Sequence, residues 1–244
     1  TYGDWSSDVC SSDLLGARVS RILDATPATD IHTHLYDPAF GDLLLWGIDD
    51  LLVYHYLVSE GFRWMDLPYD AFYALPKARQ AELIWDALFV RHSPLSEACR
   101  GVLTTLQAFG LDVRQRDLPA LRRWFAAQDP AAHVTRCMEL AGVNSICMTN
   151  SPFDDAERAG WDKGFARDPR FTAALRIDPL LVAWGDTAPL LARWGYKVGV
   201  SLTEQTIAEV RRFLEDWSKR IDAQYLMVSL PPDFDYPADT TTAR

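Results

Sequence analysis

The chain has 244 residues, of which 48% are hydrophobic and 24% charged, with Lys+Arg 24 against Asp+Glu 34 and a formal charge of -10. That composition supports a full-sized buried core and excludes a disordered chain. The negative charge, with no basic stripe, argues against nucleic acid and anionic lipid as partners, and apolar runs such as Leu43–Trp46 and Leu51–Tyr54 are far below the roughly 20 residues that cross a bilayer.

The first fourteen residues, TYGDWSSDVCSSDL, are rich in Ser and Asp without an apolar period. The run Asp4–Leu14 resembles the conceptual translation of a sequencing adapter, so residues 1–14 are expected to be a library-preparation scar outside the fold. Removing them takes away three aspartates and Cys10 but no base. Cys10, Cys99, Cys137 and Cys147 form no CxxC pair. Reduced thiols and, with no signal peptide visible, a cytoplasmic setting are expected.

Residues 15–35 should hold an N-terminal helix, with Ala17, Val19, Ile22 and Leu23 as its apolar positions, followed by a short strand over Ala28–Leu35. Residues 36–142 read as a helical insertion. Ser93 with Pro94 predicts one helix start and Asp129 with Pro130 another, while Gly110 and Gly142 predict the stops. From 143 onward strand and helix alternate. VNSICMT (143–149), FTAALRI (171–177) and YLMVSL (225–230) read as strands, and YKVGVSL (196–202) as one weakened by glycine. Between them, Ile207, Val210, Phe213, Leu214, Trp217 and Ile221 recur at helical spacing. Strands parted by helices imply a parallel α/β sheet with right-handed crossovers.

His32 and His34 are two residues apart in a predicted strand, which puts both imidazoles on one face, where they can grip a metal ion. Asp30 shares that face and can act as a carboxylate partner of a ligand histidine. An HxH triplet also arises by chance. In the same spirit His55 could be a satisfied helix histidine, and Arg176 could pair with Asp178. His92, His133 and the tryptophans read as structural.

Asp30-Ile-His-Thr-His34-Leu resembles the first-strand metal motif of the amidohydrolase superfamily, and the His55-Tyr56 pair that follows is similar to the uronate (glucuronate) isomerase family. Two turns agree in order: Met148-Thr-Asn-Ser-Pro152 stands where that family has Thr-Asp-Asp-Pro, and Leu175-Arg-Ile-Asp-Pro179 where it has Arg-Pro-Asp. Asn150 and Ser151 depart from the acidic pair, which puts any role of those carboxylates in doubt. The resemblance implies a (β/α)8 TIM-type barrel, of which residues 15–35 and 143–244 supply about the first four strands. It implies an aldose–ketose isomerase that interconverts D-glucuronate and D-fructuronate, or D-galacturonate and D-tagaturonate. His32 and His34 would hold a divalent metal, zinc by first preference, which turnover need not require. Arg176 would clamp the substrate carboxylate, and His55 and Tyr56 would serve as catalytic and substrate-contacting groups. The small-molecule uronate is then the expected partner, with no nucleic acid or membrane partner; a homo-oligomer stays open.

The family's proton-transferring Asp and its nearby Arg come from the last strand, so the chain is expected to be an N-terminal fragment with negligible isomerase activity by itself. The alternatives are a metal-dependent hydrolase of the same superfamily, cleaving a lactone or amide, and an inactive sugar-acid binder.

Overall fold

A computed structural model describes residues 6–33, 35–232 and 234, the first eight of them by backbone alone. It divides into two compact units, one made of 1–43 with 142–244, the other of 44–141.

The first unit is built on a four-stranded parallel sheet in the order β1 (Ala28–Thr33), β2 (Val143–Asn150), β3 (Phe171–Arg176) and β4 (Ala223–Met227). Sequential parallel order with helical crossovers is the arrangement of one arc of a (β/α)8 barrel. β2 and β3 are inner strands and bury near-continuous apolar runs, Ile146 to Met148 and Ala173 to Leu175. β1 and β4, at the two edges, are more exposed.

The crossover helices carry their own start and stop signals. Asp154 accepts hydrogen bonds from the Ala156 and Glu157 amides and opens the helix Asp155–Lys163, which Gly164 ends at φ +67. Thr203 caps the helix Glu204–Ile221 through the Thr206 amide, and Phe213, Trp217 and Ile221 are its buried stripe. The segment 196–202, the glycine-weakened candidate for one strand beyond the four expected, is a loop. Its Lys197 and Gly199 amides donate to Glu209 and to the Thr206 hydroxyl, so helix side chains satisfy backbone groups that a ladder would otherwise need. The last strand starts earlier and stops at Met227, because the Ser229 amide turns to Asp178.

The N-terminal helix runs over Ser6–Ala25 and therefore starts well before the expected Ala17. Its residues from Leu14 to Ala25 are all exposed. Residues 1–5 and 235–244 and the side chain of Cys10 lie outside the description.

The second unit is a helical assembly around Leu52, Phe72, Ile84, Leu88 and Leu106, each at most 2% exposed. Its helix Glu97–Ala108 is capped by Ser96, not by the expected Ser93: the Ser96 hydroxyl accepts from Cys99, and the Ser93-Pro94 pair stays in the preceding loop. The Asp129-Pro130 start holds, since Asp129 accepts from the Ala132 amide at 2.8 Å and the helix runs Pro130–Ala141. Among the described residues no helix is long and apolar enough to cross a membrane.

Candidate active site

In a parallel α/β sheet the residues that carry chemistry collect where strands end. Thr33, Asn150, Arg176 and Met227 close the four strands at that end.

Asp30 and His32 lie two apart on β1 and so share a face. The Asp30 carboxylate accepts the His32 main-chain N–H at 3.1 Å, which fixes the strand locally. The Tyr225 hydroxyl donates to the Ile31 carbonyl, reaching from β4 to the residue before His32. Its pKa is pushed up to about 12, first by burial and then by Cys147 and the charge of Asp30. His34 lies outside the described residues. Among those described, no group of three or more His, Cys, Asp or Glu is placed to hold a metal ion. Neutral imidazole is a suitable donor for zinc, and His32 with His34 would supply two of the four ligands that zinc takes. The donor chemistry fits such an ion, with further ligands still required.

Arg176 ends β3. Its Nε and Nη2 donate to the two oxygens of Asp178 at 3.2 and 2.9 Å, and Asp178 also accepts the Ser229 amide at 2.9 Å. Burial opposes ionisation of Asp178, yet Arg176 and the Ser229 amide hold its carboxyl below the usual range. Asp178 in turn strengthens the protonation of Arg176. The expected clamp is therefore already paired along one edge of its guanidinium. Its Nη2 also reaches the Ser229 hydroxyl at 3.5 Å, so a second carboxylate would approach from the Nη1 side and displace that long contact to be held by two bonds.

Glu157, only 6% exposed, lies beside these strand ends. One oxygen accepts the Tyr36 hydroxyl at 2.6 Å; the other accepts the Asn150 side-chain amide at 3.2 Å and the Ser151 main-chain N–H at 2.8 Å. Burial raises the pKa of Glu157, against the lowering effect of these bonds. It also raises that of Tyr36, with Glu157 adding to the effect. Asn150, which departs from the acidic pair of the resembled motif, here supplies an N–H that a carboxylate would lack.

Sequence reasoning passed over Tyr36, Glu157 and Tyr225. Asp154-x-x-Glu157 carries the signature of a capping box, which would send Glu157 back to the Asp154 amide. That amide instead donates to the Ser151 carbonyl, and the carboxylate is turned to the strand-end loops.

His55 and Tyr56 belong to the second unit and open the helix His55–Gly61. Their rings lie 4.1 Å apart, and Tyr54 completes a triangle at 4.3 Å from His55 and 5.6 Å from Tyr56. His55 and Tyr56 are exposed, Tyr56 at 63%. His92 and His133 are structural, as expected. His92 bonds the Ala87 carbonyl at 2.7 Å and stacks on Trp64, and burial among Trp46, Phe109 and Phe125 lowers the pKa of His133.

No protein-family model and no curated protein matches this chain. Among solved structures, a crystal structure of a uronate isomerase from Bacillus halodurans C-125 matches it with 50% sequence identity and a TM-score of 0.89. The match covers 93% of this chain and 54% of that one, so the chain spans about half the length of that protein.

Proposed function

This chain is homologous to a uronate isomerase over nearly all of its length, and from that premise we propose that it belongs to an enzyme interconverting an aldose and a ketose form of a uronate. Of the two pairs expected, D-glucuronate with D-fructuronate is taken as the first to test. The observation that carries this reading is the 50% identity, sustained over 93% of the chain together with the fold.

The geometry supports a division of labour. A uronate differs from a neutral sugar by its carboxylate, and Arg176 offers the edge of its guanidinium left by Asp178 to hold that group. Asp178 orients the fork and keeps it charged. His32 and His34 would hold a divalent metal, which when bound supplies polarisation of a substrate oxygen. His55 and Tyr56 belong to the other unit, and their imidazole and phenol are assigned to the substrate on the resemblance alone. Moving hydrogen between C1 and C2 also needs a base. We assign no described residue to it.

A ligand that binds only the folded chain raises its melting temperature. D-glucuronate should therefore stabilise the chain in a thermal-shift titration while D-glucose, which lacks the carboxylate, should not. Equal shifts with both sugars would contradict the proposal.

A further inference from the structure

The exits of β3 and β4 are tied to each other by two main-chain hydrogen bonds. The Ile177 amide donates to the Met227 carbonyl at 2.9 Å, and just beyond it the Ser229 amide donates to the Asp178 carboxylate at 2.9 Å. Asp178 thereby fixes two groups at once, the plane of the Arg176 guanidinium and the main chain of the segment leaving β4. This brings the Ser229 hydroxyl to 3.5 Å from Arg176 Nη2. Such a separation is at the outer limit of a hydrogen bond. No described residue holds the hydroxyl more closely, and Ser229 is exposed.

A serine hydroxyl has one proton to donate and lone pairs to accept with. With its oxygen toward a guanidinium, that proton is directed outward, to the space from which an anion reaches Arg176. An incoming carboxylate therefore exchanges the long contact between Nη2 and the hydroxyl for a bond from the hydroxyl to a charged acceptor, which is shorter and stronger. We propose that Ser229 is a second binding residue for the uronate carboxylate, its hydroxyl donating to the carboxylate oxygen nearest Arg176 Nη2. The inference rests on the carboxylate-binding role given above to Arg176. It makes the carboxylate site a joint product of the β3 and β4 exits, with Asp178 setting the spacing between them. Because a hydroxyl donates more strongly to a carboxylate than to an alcohol, the contact also favours a sugar acid over a neutral sugar.

The test is calorimetric titration of D-glucuronate into the full chain as wild type, Ser229→Ala and Ser229→Thr, with the melting temperature of each. Ser229→Ala removes the hydroxyl and keeps the main-chain N–H that Asp178 accepts. It should weaken binding by about fivefold to tenfold, as expected for a hydrogen bond to a charged group at an exposed position, and leave the melting temperature unchanged. Ser229→Thr keeps the hydroxyl and should bind as wild type does. Wild-type affinity in Ser229→Ala, a loss in Ser229→Thr as large as that in Ser229→Ala, or a loss of affinity that follows a fall in melting temperature would overturn the role of Ser229 and leave that of Arg176 standing. No saturable binding of D-glucuronate by the wild-type chain would overturn the uronate reading, and this inference with it.

Discussion

Arg176 and Asp178 show how one pair of residues decides what a strand end can bind. An unpaired guanidinium in a half-buried site would be mobile and costly to order, whereas the bidentate contact with Asp178 fixes its plane and leaves one edge for a ligand. The pairing has a pH signature. The folded-state pKa of Asp178 lies below its ordinary 3.8. Its stabilisation is therefore present above that value and is lost as pH falls through the lower folded one. Urea unfolding of wild type and Asp178→Asn should differ near neutral pH, with the gap closing as pH falls below 3.8. A gap independent of pH would contradict the assignment. Asp178 was legible in the sequence only as a competing partner for Arg176. The structure makes the two roles compatible, since one guanidinium has two bidentate edges. Glu157 was not legible, because its local spacing fits a helix cap and its real partner, Tyr36, is 121 residues away.

The helix Asp155–Lys163 is the element on which the strand-end geometry leans. It presents Glu157 on one turn and Trp161 on the next. Gly160 lets Phe40 approach, since a Cβ there would lie 2.9 Å from the Phe40 ring. Ala is the better helix former by about 1 kcal/mol. Here the clash outweighs that gain, because Phe40 is hemmed in by Tyr36, Trp161 and Phe165, and overpacking costs about 1–3 kcal/mol. Gly160→Ala should lower the melting temperature, which calorimetry would show; an increase would mean that Phe40 moves freely. Elements with local signals were the readable ones. The Asp129-Pro130 start, the Gly110 and Gly142 stops and the runs of β2 and β3 follow from period and capping alone. The cap at Ser96 and the loop at 196–202 did not, because both depend on partners outside their own segments: Ser96 donates to Glu60, and Lys197 is held by Glu209.

At the scale of the whole molecule, the acidic composition and the proposed anionic ligand pull in opposite directions. A chain of formal charge -10 repels a uronate at long range, so affinity has to come from a local cation with its desolvation already arranged. The parallel order of four strands brings Arg176 to the same sheet end as the exit of β1, and that placement is what the strand-helix alternation in the sequence foretold. The charge of Arg176 is thus the feature on which recognition turns. Calorimetric titration of D-glucuronate into wild type and Arg176→Met tests this most directly. The account predicts saturable binding that weakens by about tenfold or more when the charge-assisted pair is lost; equal affinity in the two proteins would contradict it.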